Sequence, residues 1–150
     1  MQSTHILVDL FDCDPALLDD VERVGGVMTA AADAAGATIV DSTFHRFSPC
    51  GVTGVLIITE SHMAIHTWPE RGFAAVDLFT CGESIDPWRA YEVLKAALGA
   101  GRATVLEVHR GRATGLEATP GPVGGSPGHR PEGALPSREG RTAGEDADSG

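Results

Sequence analysis

The chain has 150 residues, 42% of them hydrophobic and 5% aromatic, with 11 Lys and Arg against 21 Asp and Glu for a net charge of -10. That length suits one domain with a modest core, and the acidity excludes the clustered cations of a nucleic-acid surface. No apolar run reaches the roughly 20 residues that cross a bilayer, and Met1-Gln2-Ser3-Thr4-His5 lacks the character of a signal peptide, so a cytoplasmic protein with neither membrane nor nucleic acid as partner is expected.

In chain order, residues 5–11 form an apolar run of strand length, stopped by Asp12-Cys13-Asp14-Pro15. Asp14 can cap a helix and Pro15 can occupy its first position; Leu17, Val21, Val24, Met28 and Ala31 then recur at steps of three and four, and Gly36 is placed to end the helix. Segments 37–47, 52–59, 61–68 and 73–80 are rich in β-branched and aromatic residues and read as four consecutive strands. Asp86-Pro87 repeats the helix start, Tyr91, Leu94 and Leu98 line one face, Gly101 ends the helix, and 104–108 is a last strand. The recurrence of strand, Asp-Pro and helix in both halves hints at an internal duplication.

This order, β-α-β-β-β-β-α-β, predicts a two-layer α+β sandwich, with helices on one face of a mainly antiparallel sheet. The other face then needs a cover, and a dimer is expected to supply part of it. From Leu116 onward the composition changes: thirteen of the last thirty-five residues are Gly or Pro and none is aromatic. Residues 1–115 are therefore expected to form the working domain and 116–150 a disordered tail.

Reactive side chains concentrate in one string, Thr59-Glu60-Ser61-His62-Met63-Ala64-Ile65-His66-Thr67-Trp68-Pro69-Glu70, followed by Thr80-Cys81-Gly82. On a strand, Glu60, His62 and His66 share one face, while Ser61, Met63 and Ile65 share the other. Three readings fit that spacing: a metal site built from Glu60, His62 and His66; a Ser61 or Cys81 nucleophile with a histidine base; and polar groups that merely satisfy a sheet and its turns. The three cysteines, Cys13, Cys50 and Cys81, have no CxxC spacing and suit neither a disulfide framework nor a zinc ribbon, which leaves a reactive thiol as the special role for any of them.

The string from Glu60 to Glu70 closely resembles the prokaryotic S-adenosylmethionine decarboxylase proenzymes, a pyruvoyl-dependent family. The similarity extends through His5, Asp9, Cys13-Asp14, Gly36-Ala37-Thr38, Phe44-His45-Arg46-Phe47, Gly51-Val52-Thr53-Gly54, the stretch from Ala75 to Gly82, Asp86-Pro87 and Arg110-Gly111. The resemblance implies a chain that cuts itself between Glu60 and Ser61 and turns Ser61 into a covalent pyruvoyl group, with no metal. That group would hold the substrate amine in a Schiff base and act as the electron sink for decarboxylation. It further implies that His66 accepts a proton during processing, that Thr53, usually serine in the family, assists through its hydroxyl, and that Cys81 returns a proton to the substrate. Glu70 and Phe47 fall at positions that contact the ribose and the adenine; His5, His45 and Cys13 are read as structural.

The expected reaction converts S-adenosylmethionine to its decarboxylated form and CO2 for spermidine synthesis, by a dimer of processed protomers. Asp9, Thr53, Met63 and Ala64 depart from the usual family residues. Relatives of this fold that act on ornithine or arginine give the alternative substrates. A non-catalytic dimer that binds a small ligand is a further alternative, marked by an intact Glu60–Ser61 bond.

Overall fold

In the computed structural model, which describes residues 3–59, 61–81, 84–113 and 115–121, the chain runs β1 (Ser3–Phe11), α1 (Pro15–Leu18), α2 (Val21–Ala35), β2 (Ile39–Arg46), β3 (Val52–Ile58), β4 (Ser61–Trp68), a 3-10 turn (Pro69–Arg71), β5 (Phe73–Cys81), α3 (Pro87–Ala97), β6 (Arg102–Arg110) and β7 (Glu117–Pro120). The strands form one sheet in the order β2-β3-β4-β5-β1-β6-β7. Every neighbouring pair is antiparallel. Strands β2 to β5 are a meander, and β1 inserts between β5 and β6. This is the two-layer α+β sandwich that the alternating strands and the two apolar helix stripes predict.

The strand alternation decides which side holds the core. Ile6, Val8 and Leu10 of β1, Leu56 of β3, Met63 and Ile65 of β4, and Val76 and Leu78 of β5 are buried against Val24, Met28, Tyr91 and Leu94 of α2 and α3. Each large side chain so buried contributes about 1.5–3 kcal/mol of transfer free energy. The intervening residues face the uncovered side, where Leu7 and Leu106 are 36% and 37% exposed and Ile57 is 48% exposed. No helix among the described residues is long and apolar enough to cross a membrane.

Three elements depart from the sequence expectation. The first helix is two helices: Asp14 caps the single turn α1, and Asp20 starts α2 by accepting from the amides of Glu22 and Arg23. A carboxylate able to satisfy two free amides makes a new start cheaper than continuing the old helix. Helix α3 ends before Gly101: Leu98 is its C-cap, and Gly99 takes the left-handed conformation that follows. Residues 117–120, assigned to a disordered tail, are strand β7, paired with 106–109 of β6. The outer edge of β6 carries unpaired backbone groups, and pairing satisfies them whatever the side chains prefer. Of that expected tail, residues 122–150 lie outside the described residues.

The aromatic ring of Phe44 on β2 packs between β3 and α2. It lies over Gly54 of β3 and within 3.7 Å of where a Cβ at Gly25 of α2 would stand. A Cβ at Gly25 would make only ordinary van der Waals contact with that ring, so space does not require glycine there. At Gly54 a Cβ would overlap the Phe44 ring itself. Gly54→Ala is expected to destabilise the domain by about 1–3 kcal/mol through overpacking, read as a lowered midpoint in urea with unchanged slope.

Candidate active site

The β3–β4 hairpin brings Ser61 to the end of a strand. Ile58, the last residue of β3, pairs with Ser61, the first of β4. Glu60, the residue before the expected cut, lies outside the described residues, as do Gly82 and Glu83. On its other side Ser61 pairs with Thr80 of β5, whose next residue is Cys81. The Ser61 hydroxyl is 3.4 Å from Nδ1 of His62, and the Cys81 thiol donates to Oγ of Ser3 on β1 at 3.6 Å. Both Ser61 and Cys81 are half-buried. Two groups expected to act in chemistry thus lie at the same end of adjacent strands, Ser61 on the side of Met63 and Ile65 and Cys81 on the open side.

A second cluster lies at the other end of the same strands. Thr53 of β3 pairs with His66 of β4, and Thr53 Oγ1 is 3.0 Å from His66 Nδ1. Beyond them, the 3-10 turn carries Glu70, whose Oε2 accepts from the Cys50 thiol at 3.4 Å. That hydrogen bond, followed by desolvation, holds the Cys50 thiol above its ordinary pKa, so the proton stays on sulfur and is available to donate. Phe47 is 47% exposed and receives the edge of His45 at 4.6 Å between ring centroids. Trp68 stacks on Phe73 at 5.3 Å beside this corner. The structure therefore places Phe47, Thr53, His66 and Glu70 at the same end of the β2–β4 strands.

It does not bring His66 to Ser61. Five residues of β4 separate them, about 17 Å at roughly 3.3–3.4 Å per residue. Within one chain the imidazole closest in sequence and space to the Ser61 hydroxyl is that of His62, which the sequence analysis had placed only in a metal reading. His62 and His66, four residues apart, are about 13 Å from each other and cannot share one ion. Among the described residues no three His, Cys, Asp or Glu side chains converge as metal ligands. Cys13 is a buried structural thiol, its pKa pushed up to about 11 by desolvation and by the neighbouring Asp12 charge.

The chain matches the family model for S-adenosylmethionine decarboxylase over residues 4–111. It is 56% identical over 108 residues to the S-adenosylmethionine decarboxylase proenzyme of Thermotoga maritima, covering 72% of this chain and 83% of that protein. The proenzyme of the same name from Acidithiobacillus ferrooxidans is 52% identical over 108 residues, covering 72% of this chain and 81% of that one. Among solved structures, the adenosylmethionine decarboxylase of Aquifex aeolicus superposes with a TM-score of 0.69 at 37% identity, covering 74% of this chain and 92% of that one.

Proposed function

The chain belongs to the S-adenosylmethionine decarboxylase family, and from that premise we propose that it cuts itself between Glu60 and Ser61 and, as a pyruvoyl enzyme, converts S-adenosylmethionine to decarboxylated S-adenosylmethionine and CO2 in the cytoplasm for spermidine synthesis. The observation that carries the reading is the placement of Ser61 at the start of β4, paired across to Thr80 and next to Cys81. A pyruvoyl group in that position needs a free strand end on one side and a proton donor on the other, and these residues fit both needs.

Processing begins with the chain's own atoms. Ser61 Oγ attacks the Glu60 carbonyl carbon, the Glu60–Ser61 amide becomes an ester, and a base removes the Ser61 α-proton so that the ester oxygen leaves with Glu60. Dehydroalanine then hydrolyses to the pyruvoyl group with loss of ammonia. His66 is suited to take the α-proton, because the hydrogen bond to Thr53 fixes its ring while imidazole can accept a proton near neutrality. Residue 61 would carry that group at the start of β4, where it would supply an electron-withdrawing carbonyl for the substrate amine and an electron sink for loss of CO2. Cys81 then delivers a proton to the substrate α-carbon, Glu70 accepts from the ribose hydroxyls, and Phe47 stacks on the adenine.

The 17 Å between the His66 and Ser61 ends is bridged by a second copy of the chain. The uncovered sheet face presents Leu7, Ile57 and Leu106 to solvent, together with His62, His66 and Cys81 on the same side by strand alternation. Two such faces stacked about a two-fold axis, with β4 strands opposed, would set the Thr53–His66 end of one protomer over the strand end of the other, where Cys81 shares the open face and Ser61, in alternation with Met63 and Ile65, starts β4 on the helix-covered side. The site is complete only in that dimer, which explains why strand-distant residues serve one reaction.

The test is the intact mass of the denatured protein, followed by CO2 release from carboxyl-labelled substrates. Two chains, 1–60 and 61–150, are expected, with the second about 17 Da lighter than a serine-started fragment, since the amine and hydroxyl are replaced by a keto group. S-Adenosylmethionine, and neither ornithine nor arginine, is expected to release CO2. A single uncut chain after long incubation would overturn the reading in favour of a ligand-binding dimer.

A further inference from the structure

Between the end of α1 and the start of β3 lies a network that the reaction as described does not use. Asp19, the C-cap of α1, accepts with both carboxylate oxygens: Oδ1 from the Gly51 amide at 2.9 Å and Oδ2 from Arg46 Nη2 at 2.6 Å. Arg46 Nε also donates to the Asp19 carbonyl at 3.1 Å, and its Nη2 reaches the Pro49 carbonyl at 3.4 Å. The loop 47–51 closes on itself through the Phe47 amide and the Gly51 carbonyl at 2.8 Å. Gly51 stands at φ 103, where a Cβ would meet the Thr67 carbonyl at 2.9 Å, so the loop passes hard against β4. Thr67 locks the other side, since its hydroxyl donates to the Leu18 carbonyl and accepts from the Val52 amide, each at 2.8 Å.

This clamp carries two side chains at its surface. Phe47 opens the loop, and Cys50 within it tethers the Glu70 carboxylate. A phenyl ring and a carboxylate are what a nucleoside would meet, and their separation depends on where the loop lies. We propose that Asp19 is a positioning residue for substrate: by holding Arg46 and the Gly51 amide at once, it fixes the loop 47–51 so that Phe47 and the Cys50-tethered Glu70 address one nucleoside. The proposal rests on the reading of Phe47 and Glu70 as substrate contacts.

The electrostatics agree with a permanent clamp. The Arg46 hydrogen bond, then the Gly51 amide, hold the Asp19 carboxyl below its usual range. A depressed folded-state pKa means that the bonding is fully present above the ordinary carboxylate pKa and is lost only as pH falls through the lowered value. At neutral pH the loop is therefore held.

The experiment measures steady-state decarboxylation by processed Asp19→Ala, Asp19→Asn and Glu70→Gln proteins beside the wild type. Asp19→Ala is expected to raise KM for S-adenosylmethionine about tenfold while kcat stays within about twofold, because the reacting atoms are untouched. Asp19→Asn keeps an acceptor for the Gly51 amide and should recover part of that loss. If Glu70→Gln raises KM and Asp19→Ala does not, the clamp is wrong and the substrate corner stands. If neither changes KM, the substrate reading of Phe47 and Glu70 falls with it. A fall in kcat with KM unchanged in Asp19→Ala would mark a merely structural role and also overturn the proposal. Should Asp19→Ala fail to fold, Arg46→Gln removes the other half of the ion pair while Asp19 keeps its bond to Gly51, and it must show the same KM-selective loss.

Discussion

Ser61→Ala is expected to leave one uncut chain of 150 residues with no decarboxylase activity. The alanine has no oxygen with which to attack the Glu60 carbonyl, so the amide cannot become an ester and the 1–60 segment has no leaving path. It equally has no route to a pyruvoyl carbonyl, so the electron sink is lost along with the cut, a fall of at least about a thousandfold in turnover. Ser61 is half-buried at a strand end, and its pairing with Ile58 and Thr80 is made by backbone groups, so the fold should survive the substitution. Denatured mass spectrometry reads the outcome without any substrate. Normal cleavage of Ser61→Ala would place the processing bond elsewhere and remove the central argument for a pyruvoyl enzyme.

Cys81→Ala separates the two halves of the chemistry. The thiol lies at the end of β5, hydrogen-bonded to Ser3 Oγ, and has no role in the proposed attack on Glu60. The variant should therefore process as completely as the wild type. Turnover should fall by about 10²–10⁴, the usual worth of a positioned proton donor, with KM little changed because no substrate contact is removed. Retention of wild-type kcat in the processed variant would show that another group returns the proton, and His62, 3.4 Å from the Ser61 hydroxyl, would be the residue to examine.

Ser61 and Cys81 stood out in the sequence through the family resemblance, since spacing alone left a metal site, a nucleophile and plain structural polar groups all open, whereas the elements around them followed from periodicity. Strand ends such as Val52, Ser61, Trp68 and Phe73 agree with the expectation because each strand alternates between a helix-covered and an open face, and a slip of one residue would bury polar side chains. The split of the first helix was less legible, because Leu17 and Val21 keep the apolar stripe across the break while Asp20 starts a new helix. Strand β7 was illegible: Glu117-Ala-Thr-Pro has no strand character, and only the open edge of β6 recruits it.

The residue identities of the site and the order of its elements are local properties, written in capping carboxylates, alternation and one reactive string. Which of those residues meet is not local. Thr53 reaches His66 across a hairpin, Cys50 reaches Glu70 twenty residues on, and Asp19 reaches Gly51 across thirty-two, because strand register, not sequence distance, sets side-chain neighbours. The same register holds His66 and Ser61 at opposite ends of one extended strand, since a β-strand cannot fold back within five residues. The strand pattern already called for a cover over the open sheet face; the separation of His66 from Ser61 along one rigid strand, which is the reason for proposing that a second copy completes the site, comes from the tertiary structure.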